Sequence, residues 1–473
     1  MESAPRMPDR RTSPTQEFPL PPVLRTFWVW MFVLSAISAV ASDIYYHLDR
    51  FQQCCTLAYD DPLFVDFWHY AYIFRFFHTA AFFHNAERFA YPAFSAVIYD
   101  LLYHLGPHAQ AIFLSTELAM SGLAAFLFFK TIHRNGLRRF PAAILVLTTL
   151  LFSYPLLFIF EAGSVEFLTC ALTAAGLLFV LKRNDSSAAA LWGAAAALKI
   201  YPILLLGVFL SRAKARTLAV GISAFAVISM VSMWFIGPTI PTAFAGSISG
   251  VGGFVSTYSE MLRLQELPFD HSLLAPIKIL AYEMAHRTGT VSYLTKPYLF
   301  IAGTAAFLAF FLRARHMPVG NQVLFLFAAM LALPPVSYDN TLVHLYAPWA
   351  MLVIVTLREG TVGRTLPGLR TCLLCFAVLF TSQRFLYYHW IHLNGTFKAV
   401  ALVVLMVTTL RYPIPDEALY GIPLSGTTAR PYSSPARRVS QRVHTTLVSN
   451  VQSGFSDRQL STRKVDIVKS SLS

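Results

Sequence analysis

Charged residues are scarce in this chain. They make up 13% of its 473 residues, whereas 56% are hydrophobic and the mean hydropathy is +0.54. A soluble domain has about 25% charged residues. This deficit, together with repeated apolar runs long enough to cross a bilayer, excludes an ordinary soluble enzyme. It predicts an all-α fold, a multi-pass transmembrane helical bundle.

Several common motifs are also absent. The sequence has no Gly-rich phosphate-binding loop, no internal repeat of about 20 to 50 residues and no zinc-like spacing among its five cysteines. These absences argue against a P-loop nucleotide enzyme, a solenoid and a zinc domain. We expect no metal and no cofactor; a divalent metal held by Asp66 and Asp339 has only weak support, because nothing in their spacing favours it.

Basic residues outnumber acidic ones by 37 to 24, which gives a net charge of +13. Most of the excess lies in short loops and in the two tails, a pattern typical of positive-inside topology. The bilayer is therefore the expected partner, and no nucleic acid is expected. The basic loops all fall on one side of the membrane only if the segment around Lys199 enters the membrane and returns to the same side. We therefore expect two half-helices, broken at Pro202, with Lys199 near the apex.

The predicted boundaries divide the chain into three parts. Residues 1–22 are expected to be a disordered cytoplasmic tail, 23–411 a polytopic membrane domain, and 412–473 a second disordered, basic tail. The membrane domain would hold about eleven spans or half-span pairs. The first extracytoplasmic segment, Ser42 to His108, has no run long enough to cross, and its aromatic pieces predict interfacial helices.

Four polar residues fall on the extracytoplasmic side in this topology, although the topology argument did not use them. They are Asp66, Asp270, His271 and Asp339. Their convergence on the side opposite the basic loops is the main indication of a site.

Asp66 lies within the aromatic run F-V-D-F-W-H-Y-A-Y-I-F-R-F-F-H. One interpretation is an interfacial acid paired with Arg75 or a nearby histidine. The other is a general base, since an acid held in an apolar surface has its pKa raised toward a useful range and can take a proton from a hydroxyl.

Lys199 is a charge within an apolar segment, and such residues are costly and often functional. It either snorkels or holds a phosphate. Asp270, His271 and Ser272 are consecutive and cannot form a Ser-His-Asp relay among themselves, so they are expected to help close a site. Asp339 and His344 are five residues apart, which is not the spacing of a helical metal pair.

Four stretches resemble one known family. They are V-D-F-W-H-Y-A-Y with the following R-F-A-Y-P-A-F, W-G-A-A-A-A-L-K-I-Y-P, D-H-S-L-L and P-P-V-S-Y-D-N-T-L-V-H-L. In order and spacing they resemble glycosyltransferase family 87, membrane enzymes of the C-class fold that use polyprenyl-phosphate sugars. The chain departs from the family pattern at Ala93, at Asn340 where histidine is usual, and at Asp270-His271 where Asn-Gln is usual.

The resemblance implies an enzyme, a hexosyltransferase that moves a hexose such as mannose from a polyprenyl-phosphate sugar to a glycolipid or glycan acceptor. Asp66 would be the general base of an inverting attack on the extracytoplasmic face. The substrate-binding candidates are Arg75, Arg88, Tyr91, Lys199, Tyr201, Asp270, His271, Asp339, Asn340 and His344. The plasma (inner) membrane is the expected location, or the endoplasmic reticulum membrane if the protein is eukaryotic.

A lipid-linked saccharide transporter or flippase is the alternative. It would use the same aromatic and basic lining without a positioned base. Transporters of this kind commonly show inverted repeats, and none is visible in this sequence.

Overall fold

A computed structural model of the chain describes residues 19–49, 64–69, 74, 76–79, 81–84, 89, 91–151, 153–254, 267, 269–285, 292–361, 366–381, 387–388 and 391–420. The α-helices are α1 Pro22–Asp49, α2 Val65–His69, α3 Ala81–His84, α4 Ala93–Tyr103, α5 Ala109–Arg134, α6 Arg139–Leu151, α7 Tyr154–Ala162, α8 Glu166–Leu181, α9 Asp185–Leu198, α10 Gly207–Ser211, α11 Ala215–Ile236, α12 Ile240–Phe254, α13 Leu274–Ala285, α14 Ser292–Leu312, α15 Val319–Ala332, α16 Tyr346–Thr361, α17 Leu369–Phe380, α18 Asn394–Arg411 and α19 Asp416–Tyr420. Short 3-10 helices are Gly106–His108, Tyr201–Leu206, Ala314–His316 and Asp339–Leu345.

The predicted all-α, multi-pass membrane architecture is confirmed. In the part of the chain that the structure describes, five helices are long and apolar enough to cross a membrane, or six if one bent pair counts as a span. The five are Gly106–Arg134, Ala215–Ile236, Tyr293–His316, Asp339–Glu359 and Asn394–Arg411. Shorter apolar helices, among them α8 and α15, account for much of the difference from the eleven predicted segments.

Two predicted spans differ from the structure. The continuous span expected over Phe140 to Phe160 is two helices, α6 and α7, bent by 49°. Pro155 lies in the first turn of α7, where a proline is tolerated because its missing N–H has no helical partner. The span expected to reach Trp390 ends as α17 at Phe380, and Tyr387–Tyr388 (β1) then pairs antiparallel with Ile391–His392 (β2).

The core is built around α15. All fourteen of its residues are buried. Twelve of them are apolar or glycine, and the amides of Asn321 and Gln322 donate to backbone carbonyls. Helix α18 and the 3-10 helix Tyr201–Leu206 pack against it, and α17 packs against α18. All three contribute leucine side chains to the same cluster, and α17 adds Phe376 and Phe380. This core fixes the positions of the shorter elements that carry polar groups.

Small residues allow α9 and α11 to approach closely. A Cβ added at Gly193 would lie 2.2 Å from the carbonyl oxygen of Gly221, and one at Gly221 would lie 2.6 Å from a methyl of Leu206. Such contacts are too short for real atoms, so both positions require glycine. The alanine-rich face of α9 therefore packs backbone against backbone.

The segment around Lys199 folds back on itself as a hairpin. That is the backbone geometry expected of a segment that enters a membrane and returns, and its placement in the membrane stays a prediction. Helix α9 ends at Leu198, Lys199 is extended, and the 3-10 helix Tyr201–Leu206 and α10 follow. At the base, Asp185 of α9 forms ion pairs with Lys214 and, at 3.4 Å, with Arg212. The two ends of the segment therefore meet, and the break lies at the far end of the hairpin.

A second, aromatic cluster packs against the start of α8. We call it the aromatic cluster; it contains Phe64, Phe67, Phe74, Phe82, Phe89, Tyr99 and Phe113, with Val165 and Ile236. Edge and tilted ring contacts join its members, for example Phe67 with Phe113 at 5.1 Å. Short helices α2 and α3 occur within the predicted aromatic loop, as expected.

The folded part of the chain extends past the predicted boundary at residue 411. Ile414, Ala418 and Leu419 are buried in the main core. Arg358 donates to the carbonyl oxygens of Ala418 and Leu419, and Asp416 accepts the N–H of Val319. The predictions for residues 1–18 and 421–473 lie outside the described residues.

The hairpin geometry makes a topology prediction. In a variant whose five natural cysteines are replaced, Ser186→Cys and Ala215→Cys should both be labelled by a membrane-impermeant maleimide from the same side, because Asp185 and Lys214 pair. Thr239→Cys, at the other end of α11, is the control and should be labelled from the opposite side, since 22 helical residues span about 33 Å. Labelling of Ser186→Cys and Ala215→Cys from opposite sides would contradict the hairpin.

Candidate functional site

Two buried ionic clusters share one element, the 3-10 helix Asp339–Leu345. Asp339 begins this helix and belongs to one cluster, and His344 near its end belongs to the other. Both side chains are fully buried. A charge in an apolar interior needs a partner, so each cluster identifies residues that the fold must bring together.

The first cluster, here the Lys199 cluster, centres on Glu166. One carboxylate oxygen, Oε1, lies 2.7 Å from His344 Nε2 and also accepts a hydrogen bond from the Tyr201 hydroxyl. The other, Oε2, lies 3.4 Å from Lys199 Nζ. The ammonium of Lys199 also lies 3.5 Å from the centre of the Tyr91 ring. The cation is thus held between a carboxylate and an aromatic face.

Local structure explains why these groups meet. Gly163, with φ of 67°, ends α7 in the left-handed conformation, and Glu166 opens α8 three residues later. The Ser95 hydroxyl donates to the carbonyl of Leu198 at 2.5 Å, which ties α4 to the end of α9. Tyr91, just before α4, is thereby positioned beside Lys199.

The second cluster, here the Asp339 cluster, holds Asp339 with three polar contacts. Oδ2 accepts from Lys398 Nζ at 2.7 Å and from Asn394 Nδ2 at 2.9 Å. Oδ1 lies 3.2 Å from His271 Nδ1, and His271 Nε2 lies 3.1 Å from Ser337 Oγ. Lys398 additionally lies 4.0 Å from the Tyr154 ring centre.

Asp270 organises the loop that carries His271. Its Oδ1 accepts the backbone N–H groups of Ser272 and Ser337, at 2.9 and 3.0 Å. Burial raises the pKa of the Asp270 carboxyl, while buried Lys278 and the two N–H donors oppose that rise. Gly395 is required here, because a Cβ would lie 2.2 Å from the Asp270 carbonyl oxygen. This loop therefore closes tightly over the Asp339 cluster.

Asp66 lies in the first turn of α2 and is half-buried. Its neighbours Phe64 and Phe67 belong to the aromatic cluster, and the N–H of Phe64 donates to the carbonyl of Glu161 at 2.7 Å. Phe64 also packs on Gly163, where an added Cβ would clash. The start of the helix that carries Asp66 therefore packs on Glu161 and Gly163, in the turn that connects α7 to Glu166.

The predicted site residues do not all meet in one place; most of them belong to one of the two clusters. Tyr91, Lys199, Tyr201 and His344 meet in the Lys199 cluster, whereas Asp270, His271 and Asp339 meet in or beside the Asp339 cluster. Asn340 is buried beside Asp339, and its Oδ1 accepts no hydrogen bond from the described residues. Asp66 borders the aromatic cluster, and Arg75 and Arg88 lie outside the described residues.

The comparison with known proteins gives one finding. A model of glycosyltransferase family 87 matches residues 89–335, more than half of the chain. The chain belongs to glycosyltransferase family 87. No curated protein and no solved structure matches it significantly.

Family membership makes this protein a membrane glycosyltransferase, acting on a sugar donor and an acceptor in the bilayer. The matched region includes Tyr91, Lys199, Tyr201 and the Asp270-His271 pair. It ends at Pro335, four residues before Asp339. The transporter alternative loses its support, because the family has a transferase activity.

Four residues of this glycosyltransferase that complete the clusters were not among the predicted site residues. They are Glu166, Thr173, Asn394 and Lys398. Lys398 did carry a signal, since it is a lysine in an apolar helix just as Lys199 is. Glu166 carried no such signal in the sequence, because its partners Lys199 and His344 lie 33 and 178 residues away along the chain.

Within the described ranges, no group of three or more His, Cys, Asp or Glu side chains lies close enough together to hold a metal ion. The expectation of no metal therefore remains a prediction from sequence.

The Asp339 cluster predicts strong energetic coupling between Asp339 and Lys398. Lys398→Met should lower the free energy of unfolding in detergent by about 3–5 kcal/mol, because it leaves the buried Asp339 carboxylate without its cation. The double variant Asp339→Asn/Lys398→Met should recover part of that loss, and a double-mutant cycle measures the coupling. Losses that simply add would contradict a stabilising ion pair.

Proposed function

We propose that this family 87 glycosyltransferase moves a hexose, with mannose the first candidate, from a polyprenyl-phosphate sugar to a hydroxyl of a glycolipid or glycan acceptor. The transfer takes place on the extracytoplasmic face and inverts the anomeric configuration. Asp66 is the general base, and the plasma membrane is the site of action, or the endoplasmic reticulum membrane in a eukaryote.

One observation supports this proposal most. Asp66 and Lys199 border the same aromatic cluster: Phe64 and Phe67 flank Asp66 and belong to it, and Tyr91 packs against it and contacts the ammonium of Lys199. A base and a cation that border one aromatic cluster suit a substrate that combines an isoprenoid chain, a phosphate and a sugar.

The proposed chemistry needs no covalent enzyme intermediate. Asp66 accepts the proton of the acceptor hydroxyl as its oxygen attacks the anomeric carbon. The bond from that carbon to the phosphate oxygen breaks, and its electron pair leaves with the phosphate. The positive charge of Lys199 stabilises the departing anion, most strongly where water is excluded. The proposal needs no cofactor.

The remaining candidates have supporting roles in this proposal. Tyr91 and Tyr201 hold Lys199 and Glu166 in place. Asp270, His271 and Asp339 fix the loop that closes the site, and Asn340 offers an amide to a sugar hydroxyl. Arg75 and Arg88 are further candidates for the phosphate.

The central test is Asp66→Asn with purified protein in lipid and a panel of radiolabelled polyprenyl-phosphate hexoses. Transfer should fall at least about 100-fold while the KM for the donor stays near wild type, because only the base is lost. Asp100→Asn is the matched control: it makes the same change in α4, where Asp100 lies 3.5 Å from an exposed histidine, and should keep transfer. An Asp66→Asn protein that transfers at the wild-type rate would overturn the assignment.

A further inference from the structure

The Lys199 cluster and the Asp339 cluster contain the same kinds of groups but differ in how completely those groups are paired. Lys398 Nζ donates to Asp339 Oδ2 at 2.7 Å, and both side chains are fully buried. Lys199 Nζ and Glu166 Oε2 are 3.4 Å apart, longer than a charge-assisted hydrogen bond of about 2.7–2.9 Å. The Lys199 side chain is also 10% exposed. The Lys398 pair is therefore complete within the protein, whereas the Lys199 pair is not.

The carboxylate of Glu166 has one oxygen that accepts hydrogen bonds and one that does not. Oε1 accepts from the Tyr201 hydroxyl and lies 2.7 Å from His344 Nε2. Oε2 is buried and accepts no hydrogen bond from any residue that the structure describes. A buried carboxylate oxygen without a hydrogen-bond donor is costly, so Oε2 is an acceptor that a ligand can use.

The ammonium of Lys199 has a matching capacity to donate. Its nitrogen lies 3.5 Å from the centre of the Tyr91 ring and 3.4 Å from Glu166 Oε2. An ammonium has three N–H donors, and these two contacts use at most two of them. A ligand that completes the pair therefore brings an acceptor to Lys199 and a donor to Glu166 Oε2, side by side.

A hexosyl phosphate has this combination at one end. Its phosphate oxygens are charged acceptors. The hydroxyl on C2 is a donor, and C2 is bonded to the anomeric carbon that carries the phosphate. The other hydroxyls of the hexose are attached farther from the phosphate. A phosphodiester without a sugar brings the acceptor alone and leaves Oε2 without a donor.

Building on the proposed function, we propose that Glu166 is a specificity-determining residue, whose Oε2 accepts a hydrogen bond from the C2 hydroxyl of the donor hexose while Lys199 binds the phosphate. Lys199 and Glu166 remain ion-paired in this arrangement, so neither buried charge loses its partner. A donor sugar without the C2 hydroxyl leaves Oε2 unpaired. The site therefore rejects such a donor, as sites built to bind a hydroxyl do.

The neighbours of Glu166 fix which of its oxygens faces the ligand. Tyr201 donates to Oε1 from the 3-10 helix that follows Lys199, and His344 contacts the same oxygen from the 3-10 helix Asp339–Leu345. In Glu166→Gln, the Tyr201 hydroxyl selects the amide oxygen for the position of Oε1. The amide NH₂ then takes the position of Oε2, where it can donate but cannot accept. This substitution keeps the shape of the side chain and removes the proposed acceptor.

Binding of donor analogues to the full-length protein in detergent tests the proposal without turnover. The ligands are farnesyl mannosyl phosphate, farnesyl glucosyl phosphate and their 2-deoxy analogue. One 2-deoxy compound serves for both, because mannose and glucose differ only at C2. Wild type should bind the better of the two hexosyl phosphates at least about tenfold more tightly than the 2-deoxy analogue, since a hydrogen bond to a charged group is lost.

Two further ligands measure the parts of the donor separately. Farnesyl methyl phosphate carries the chain and the phosphate without a sugar. Mannose 1-phosphate carries the sugar and the phosphate without the chain, and it should bind weakly because it offers nothing to the aromatic cluster. Tight binding of mannose 1-phosphate would mean that the site takes a soluble sugar phosphate, which would overturn the proposal of a lipid-linked donor.

Two variants separate selection of the sugar from a purely structural role. Glu166→Gln should bind the two hexosyl phosphates and the 2-deoxy analogue with affinities equal within about threefold. It should bind farnesyl methyl phosphate at least as tightly as wild type does, because an anion beside the phosphate is gone. Asp185→Asn makes the same kind of change at an acid paired with Lys214, and it should keep the wild-type ratio. Thermal unfolding of each variant checks that it is folded.

The wild-type ratio decides the inference even if Glu166→Gln does not fold. Wild type that binds the 2-deoxy analogue as tightly as the better hexosyl phosphate overturns it, and so does a folded Glu166→Gln protein that keeps the wild-type ratio. If polyprenyl-phosphate hexoses support transfer but the ratio is absent, the proposed function stands and this inference alone fails. If no farnesyl ligand binds, the proposed donor class fails and this inference fails with it.

Discussion

Pairing of buried charge is the constraint on which this structure depends. Two lysines, Lys199 and Lys398, lie in apolar segments, and each is matched by a buried carboxylate and an aromatic ring. Removal of either carboxylate would leave an ion without compensation in a low-dielectric interior. The elements that supply the partners must therefore meet, whatever their distance along the chain.

The 3-10 helix Asp339–Leu345 joins the two pairs. Asp339 and His344 lie on one short rigid element that is buried over its full length. The loop at Asp270 closes on its start, and α8 packs along its end through Cys170, whose thiol donates to the Val343 carbonyl at 3.3 Å. A shift of this helix would disturb both clusters together, which couples the closing loop to the proposed phosphate site.

Sequence reasoning succeeded where a local rule applied. Scarce charge and long apolar runs predict the helical bundle, and the basic ends of the segment around Lys199, with Pro202, predict its return. It was wrong where tertiary packing decides: the span through Phe140 to Phe160 bends, and the helix from Cys372 stops at Phe380. It also could not pair Glu166 with Lys199 and His344, because nothing local marks contacts between residues so far apart.

The central claim is that the aromatic cluster, Asp66 and the Lys199 cluster together form the donor site. The most direct measurement is a cryo-electron microscopy structure of the full chain in lipid with a non-cleavable donor analogue, a hexosyl phosphonate on a farnesyl chain. We expect the phosphonate at Lys199, the anomeric carbon facing Asp66, and the chain along the aromatic cluster. Phosphonate density away from Lys199, with the sugar out of reach of Asp66, would contradict it.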